Sequence, residues 1–360
     1  MVIFMLPVLS DTGWVKESLI EQLEEMVGGP IQIATMNLHL FPVPKIYLED
    51  VSVQTLEPDA VTFRANLVEV AVGWNSFWDE NVSISRIILD QPKLTVELPL
   101  APKPEEPIEW QFPAIQQLVF RNGQLHLRHK FSNQTPQSLN WEMIQLTVTQ
   151  AEEEGPSLIR LSARIPNPQF SSALTFKGEL TALEPRVTSP STEEFPVIPP
   201  INIEGQIEGS HLNLSQFVQF ANGQRLEPPI HTEANVQGNF SFTIQEDTDN
   251  LIMESLHIAL DDWSFVGQGS LVDVFFDSTR LDISGSSSPV ALERLSSLLP
   301  HDWISADVQT VLREHQVIGT LELEQGSFHI PFHENAELEA EGLIRLLVVH
   351  FLPAPDPPLF

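Results

Sequence analysis

Few residues in this chain have a type and spacing that could do chemistry. His329 and His333, with Glu334 beside them, stand four apart. On a strand i and i+4 share a face, so the pair could grip a zinc ion. Pro331 interrupts them and no third ligand follows nearby, so plain polar-face histidines are the expectation. His126 and His129 are an odd number apart and point to opposite faces of a strand. Asp261-Asp262 and Glu152-Glu153-Glu154 lack the alternating ligands and glycine of a calcium loop and read as solvated turns. No glycine-rich phosphate loop follows a strand and opens a helix, and Gly-x-Ser-x-Gly is absent. Ser286-Ser287-Ser288 suits a turn leading into a helix cap better than a nucleophile. There is no cysteine, which removes disulfides, thiolate metal sites and thiol nucleophiles together. The residues argue for no catalysis, no cofactor and no metal.

Charge narrows the partners. Eighteen Lys and Arg against 49 Asp and Glu give a net charge of −31 over 360 residues. Such a surface repels phosphate backbones, so nucleic acid is excluded as a partner. It also opposes docking on anionic lipid through a basic patch, and it discourages edge-to-edge pairing of exposed strands. At the N-terminus, Val2 to Leu9 is apolar but too short to span a bilayer, which takes about 20 residues. No basic residue precedes it, as a signal peptide would require. It reads as a packed strand or as the remnant of a membrane helix.

The elements that must position any site are mostly strands. Ala234, Val236, Gly238, Phe240, Phe242 and Ile244 alternate with Asn235, Gln237, Asn239, Ser241 and Thr243. Ile201, Ile203, Gly205 and Ile207 repeat the pattern, as do Ile159, Leu161, Ala163 and Ile165. Leu94 to Leu98, Ile144 to Val148 and Val317 to Leu323 add more. Period-two alternation means one wet and one dry face, the mark of antiparallel sheets. Helices are few. Asp11 caps one that carries Val15, Leu19, Leu23 and Met26 and stops at Gly28-Gly29. Ser288 and Pro289 open a second with Leu292, Leu295, Leu298 and Leu299 on one face. A third is expected over 305–315 and a short turn of helix over 215–221.

An octapeptide recurs. Leu89-Asp-Gln-Pro-Lys-Leu94-Thr-Val96, Phe120-Arg-Asn-Gly-Gln-Leu125-His-Leu127 and Leu323-Glu-Gln-Gly-Ser-Phe328-His-Ile330 share one layout. Asn-Gly and Gln-Gly provide positive φ and Pro92 a fixed φ, so the repeat reads as hairpin tips. A repeating hairpin suggests a sheet that grows by accretion. Pro99 to Pro107 forms a stiff Pro-rich connector, and 185–200 an exposed loop rich in Pro, Ser, Thr and Glu. The dry face of so long a sheet must leave water, at about 25 cal/mol per Å². Three or four short helices cannot cover it. Periodicity alone favours a second sheet, as in a sandwich or barrel; the other solution is a trough filled from outside.

Three stretches bear on that choice. Gly29-Pro30-Ile31-Gln-Ile33, Leu38-His-Leu40-Phe41-Pro42 and Ile46-Tyr-Leu48-Glu49-Asp50-Val51-Ser52-Val53 resemble the opening of AsmA-family proteins. Ile84 to Leu94, Leu118 to Leu127, and Leu281-Asp-Ile-Ser-Gly285 followed by Pro289 to Leu299 resemble that family's later elements in order and spacing. The resemblance covers about residues 14–332 and extends more distantly to TamB-like and bridge-like lipid-transfer proteins. It implies an elongated, curled antiparallel sheet whose apolar groove holds phospholipid acyl chains. It also implies a bacterial envelope protein on the periplasmic side of the inner membrane, contributing to outer-membrane biogenesis. The full anchor helix of the family is missing here, which leaves open attachment to the inner membrane or a free periplasmic protein.

The expected organisation follows. Residues 1–12 are the apolar segment, 13–98 the N-terminal helix and strands, 99–107 the connector, 108–352 the continued groove and 353–360 a Pro-rich tail. Leu161, Ile203, Val236, Phe240, Phe242, Leu321 and Leu323 are the candidates for lining the groove. Two other functions fit the residues: a β-sandwich adhesive or structural module binding protein or glycan, and a scaffold regulating outer-membrane protein assembly.

Overall fold

The computed structural model describes residues 17–21, 23–24, 30–54, 61–77, 83–98, 115–130, 136–150, 155–166, 172–182, 201–213, 216–217, 220, 233–244, 249–260, 263–272, 279–292, 318–331 and 339–350. The strands among them form one sheet of 18 strands. In chain order they are β1 (Ile31–Gln32), β2 (Thr35–His39), β3 (Lys45–Gln54), β4 (Val61–Val72), β5 (Ile84–Asp90), β6 (Lys93–Leu98), β7 (Gln117–His129), β8 (Gln137–Gln150) and β9 (Ser157–Ile165). Then come β10 (Ser172–Ala182), β11 (Ile201–Asn213), β12 (Glu233–Ile244), β13 (Asp249–Leu260), β14 (Trp263–Val272), β15 (Arg280–Ser287), β16 (Val290–Ala291), β17 (Ile318–Pro331) and β18 (Glu339–His350). A 3-10 turn spans Trp74–Phe77.

Three positions in the sheet are held by collinear halves. β1 and β2 both pair with β3, β5 and β6 with β7, and β15 and β16 with β17. The sheet grows by neighbours in sequence order, as alternation with one wet face requires. No second sheet faces it among the described residues, so the sandwich expectation fails. One junction departs from the antiparallel rule: β5 and β6 run parallel to β7. The chain leaves β6 at one end of the strands and re-enters β7 at the other, about 40 Å away at 3.3 Å per residue. Residues 99–116 can cover about 55 Å in polyproline geometry at 3.1 Å per residue. The Pro-rich connector and the residues after it, 99–116 together, have the reach that a parallel step demands.

The recurring octapeptides are not hairpin tips. β7 and β17 run through theirs without turning, and the first occurrence joins β5 to the collinear β6. Asp50 (φ 51), Gln91 (φ 51), Asn122 (φ 54), Met143 (φ 51) and His211 (φ 53) are left-handed; β-bulges fall at Asn122, Met143 and His211, while pairing keeps step across Asp50 and Gln91. Register shifts flank Gly123 in β7 and separate Leu323 from Gln325 in β17. Each bulge adds one residue and bends the strand, so Phe120 and Gly123 share a face although three apart. Four of the five line up across β3–β8, and Gln91 and Asn122 are tied to neighbouring strands. Asn66 Nδ2 donates to Gln91 Oε1 at 2.9 Å, Gln91 N donates to Arg121 O at 2.8 Å, and Gln145 Nε2 donates to Asn122 Oδ1 at 2.9 Å.

Helices are as scarce as alternation implies. Residues 17–21 and 23–24 are helical, and Leu19 and Leu23 are buried as the spacing predicts. Residues 216–217 and 220 are helical too. Ser288 is not a helix cap. Its hydroxyl accepts from Ser264 N and its own N–H donates to Ser264 O, both at 2.8 Å, and Val290–Ala291 continue as strand. Residue 292 is helical; Leu295, Leu298, Leu299 and the helix expected at 305–315 lie outside the described residues, as do Val15 and Met26.

Two apolar clusters form. Leu19 and Leu23 pack on Ile46, Leu48, Val68, Val70, Ile87 and Leu89 at the β1–β5 end of the sheet. Leu139, Ile165, Leu212, Ala234 and Leu260 form the second, with Phe217 and Phe220 packed against them. His129 Nδ1 on β7 lies 3.0 Å from Phe220 O, although β11 precedes Phe220 in sequence. Strands β7 to β13 therefore curl around one plug.

Candidate functional site

The registers convert alternation into rows that run along the sheet. Directly opposed residues share a face. One dry-face row passes from Met36 through Leu48, Val68, Leu89, Phe120 and Leu146 to Leu161. It continues through Phe176, Ile207, Gly238 and Leu256 to Gly267, Gly285, Gly326 and Gly342. The next row carries Ile46, Val70, Ile87, Leu118, Val148, Ile159, Phe240, Met253, Ile283 and Phe328 on the same pairings. A third carries Leu180, Ile203, Phe242, Leu251, Leu271 and Leu281. On the other side of the first lies a row with Ala163, Leu174, Val236, Ile258 and Phe265.

All seven candidate residues fall on this one face. Leu161 lies in the first row, Phe240 in the second, Ile203 and Phe242 in the third and Val236 in the fourth. Leu323 N donates to Ser287 Oγ at 3.2 Å, which sets Leu323 beside the fourth row, and Leu321 pairs with Val290. Each of the seven is half-buried. Their neighbours at the β3–β5 end are covered: Leu48 and Val70 are 0% exposed, beneath Leu19 and Leu23. Beyond them burial is uneven: the second and third rows are half-buried except at Ile159, while Leu256 in the first row and Ala163, Leu174 and Phe265 in the fourth are buried.

Burial also falls across the strands. At one lip of the trough Leu139, Ile165, Leu212, Ala234 and Leu260 are all buried, with Phe217 and Phe220 over them. The segments between β11 and β12 and between β16 and β17 both leave from and return to this lip, because the strands before them end there. The other lip carries the connections β2–β3, β4–β5, β8–β9, β10–β11, β12–β13, β14–β15 and β17–β18. Phe217 and Phe220 thus cover the first lip over β8 to β13, while the third row, toward the other lip, stays half-buried.

Paired glycines shape its floor. Gly178 on β10 faces Gly205 on β11, and Gly267 on β14 faces Gly285 on β15. A Cβ at Gly205 would stand 2.3 Å from Lys177 O and 2.6 Å from Phe176 Cε2; at Gly285, 2.3 Å from Val266 O and 2.6 Å from Phe265 Cζ. The rings of Phe176 and Phe265 therefore lie flat over glycine pairs, where the strands approach too closely for a side chain. Phe176 and Phe240 rings are 4.9 Å apart. The candidate set missed Phe176 and Phe265. Their signal in the sequence is Phe-x-Gly, as in Phe176-Lys-Gly178 and Phe265-Val-Gly267.

The remaining chemistry is dispersed. His329 on the wet face shares its Nδ1 with Asp282 Oδ1 at 2.6 Å, and Arg280 Nε donates to Asp282 Oδ2 at 3.0 Å. Burial pushes the Asp282 carboxyl up, but the His329 hydrogen bond and Arg280 outweigh it, and its pKa is lowered. His333, Glu334, Asp261, Asp262 and Glu152–Glu154 lie outside the described residues. His126 bonds Asn140 on the wet face while His129 turns to Phe220, so the two point apart. No group of three metal-ligating side chains occurs among the described residues, and no described helix is long and apolar enough to cross a membrane. Compared with family models, curated proteins and solved structures, the chain matches none.

Proposed function

We propose that this chain is a non-enzymatic lipid-handling protein of a bacterial envelope, holding phospholipid acyl chains along the apolar face of its sheet. One observation carries this: the second row from β7 to β17 and the third from β10 to β15 are half-buried except at Ile159, with no second sheet above them among the described residues. Each lipid methylene kept from water on such a face contributes about 0.8 kcal/mol, so an acyl chain gains at every step along the rows. The floor offers aromatic rings and aliphatic side chains in place of hydrogen-bonding groups. A headgroup would stay in solvent at the lip nearer the third row. The ordered motifs that resemble the AsmA family support the same function, with attachment at the inner membrane and a part in outer-membrane homeostasis.

The test is native mass spectrometry of the purified chain, followed by solvent extraction. Phospholipid is expected in the wild type, and several-fold less in Phe240→Ser/Phe242→Ser with an unchanged far-UV spectrum. A lipid-free wild-type protein whose dry face also excludes an apolar dye would end the proposal.

A further inference from the structure

The wet face of the sheet is divided in charge. Strands β6 to β10 carry six Lys and Arg against three Glu, although the whole chain stands at −31. Strands β11 to β18 reverse this, with two Arg against ten Asp and Glu. In the basic half Arg160 on β9 stands directly opposite Lys177 on β10, and Lys93 on β6 opposite Arg64 on β4. All four are exposed, and none is in an ion pair among the described residues; the pairs nearby use Arg128 and Lys130 on Glu97, and Lys45 and Arg86 on Glu69. Like charges directly opposite weaken a strand pair, so an anion from outside these strands would relieve both. In the acidic half Glu204, Glu208 and Glu254 are exposed, while Arg280 and Arg345 already serve Asp282, Glu322 and Glu324. Each half also shows two large apolar side chains on this face, Met143 and Leu158 in the basic one and Ile252 and Val266 in the acidic one, 40% to 56% exposed.

The registers make these two halves complementary to each other. Leu158 shares a wet-face row with Glu179, Glu204, Ser241 and Ile252. The next row runs through Arg160, Lys177, Gln206 and Asn239 to Ser255, where the bulge in β13 also holds Glu254. Strands β9 and β13 lie two places either side of β11, and β8 and β14 three. A two-fold axis over β11, parallel to the strands and between two wet faces, therefore sets Leu158 of each copy against Ile252 of the other and Arg160 against Glu254. It brings Lys177 beside Glu204 and Glu208 of the facing β11, and the strand of Met143 over the strand of Val266. A surface that is its own complement under a two-fold axis is what an isologous dimer needs. The nine strands β7 to β15 extend about 43 Å at 4.8 Å per strand. A strip about 20 Å wide along them offers roughly 850 Å² per copy, the size of a standard interface. The −31 on each copy opposes their approach, but at about 0.15 M salt the screening length is about 8 Å, so the facing rows decide.

We propose that the wet face is a self-association surface on which two copies of this chain meet about a two-fold axis over β11. The dry faces then point away from each other and both troughs stay open. The contact needs no occupant in the trough, so it stands or falls apart from the lipid-holding function.

The experiment is sedimentation velocity of the full chain at about 0.15 M and about 1 M salt. Wild type should sediment as a dimer at the lower salt and dissociate at least about tenfold more readily at the higher. Arg160→Glu/Lys177→Glu and Glu208→Lys/Glu254→Lys should each weaken the dimer at least about tenfold alone, and an equal mixture of the two should restore it, because each reversed half then meets its opposite. Leu343→Ser/Ile344→Ser alters exposed apolar side chains of β18, outside the strip, and should sediment like wild type. All the altered sites are exposed, and matched thermal melts confirm folding. The proposal is overturned if wild type is monomeric at the lower salt, if its dimer is indifferent to salt, or if the two charge-reversed variants stay apart when mixed. A dimer lost in Leu343→Ser/Ile344→Ser instead would place the contact at the β18 edge and overturn it too. So would a monomer that floats with phosphatidylglycerol vesicles through Arg160 and Lys177, which would assign the basic half to anionic lipid.

Discussion

Gly205→Ala should be among the more damaging single-methyl additions available in this protein. The new Cβ would meet Lys177 O at 2.3 Å, Phe176 Cε2 at 2.6 Å and Gly178 Cα at 2.7 Å. Two of the three are backbone atoms of the paired strand and cannot rotate away. Overpacking of this kind costs about 1–3 kcal/mol. Alanine returns roughly 0.4–1 kcal/mol by narrowing the unfolded ensemble, leaving a net loss of about 1–2 kcal/mol. Gly269 is the internal control. Its Cβ would meet Asp282 O at 3.0 Å and the mobile Met253 Cε at 3.3 Å, so Gly269→Ala should come out near zero. With a urea m-value of about 3 kcal/mol/M, Gly205→Ala lowers the unfolding midpoint by roughly 0.5 M and Gly269→Ala leaves it in place. Because part of the clash is with the Phe176 ring, Phe176→Ala and Gly205→Ala should combine to less than their sum, by about 0.5–1 kcal/mol. Equal midpoints for the two glycine variants would refute the close-approach argument, and strict additivity would refute the role of the ring.

Three further outcomes are expected. Leu19→Ala empties a site that is 0% exposed and should cost about 2–5 kcal/mol in urea unfolding. Met143 holds a left-handed φ of 51 with its side chain half in water, so Met143→Gly should stabilise by about 1 kcal/mol, read as a raised midpoint. Asp282, titrated by carboxyl NMR, should have its midpoint below the ordinary aspartate range. Because its folded pKa is lowered, its contribution to stability is present above the unfolded value and is lost as pH falls through the folded one. Asp282→Asn should therefore be slightly less stable than wild type at neutral pH and converge on it as pH falls through the folded pKa.

Much of the sheet was legible because alternation reports directly on which face is wet. Ile203, Phe240 and Phe242 could be put on one face from sequence alone, since β12 and β11 as far as Gly209 keep period two. The octapeptides misled because a bulge and a hairpin tip ask for the same thing, one residue at positive φ. Asn122-Gly123 satisfies either. What separates them is that Phe120 and Leu125 both belong to the dry face of one unreversed strand, which local chemistry does not reveal. The parallel step at β7 was hidden for a related reason. Face polarity is indifferent to a neighbour's direction, and only the Pro-rich reach of residues 99–116 hinted at it. Ser288-Pro289 carried a good helix-start signal, yet pairing with Ser264 claimed those residues as an extension of the strand. Phe176 and Phe265 escaped notice because their partners, the glycines, lie on the next strand as well as two residues along.

The nearest-neighbour pairing of the strands has a consequence for how the molecule comes apart. Among the described residues cohesion passes mainly from each strand to the one beside it, as in a zipper, with the clusters under Leu19–Leu23 and Phe217–Phe220 as local ties. Among the described strands β18 and the β1–β2 pair have a neighbour on one side only. Fraying can therefore start at either end, but not on equal terms. Leu19 and Leu23 clamp the β3–β5 end, whereas Leu343 and Ile344 on β18 stand 60% and 54% exposed. Amide exchange should accordingly be graded along the sheet, fastest at β18 and slowest beneath the N-terminal helix. A trough built this way can loosen one rung at a time while the rest keeps its shape.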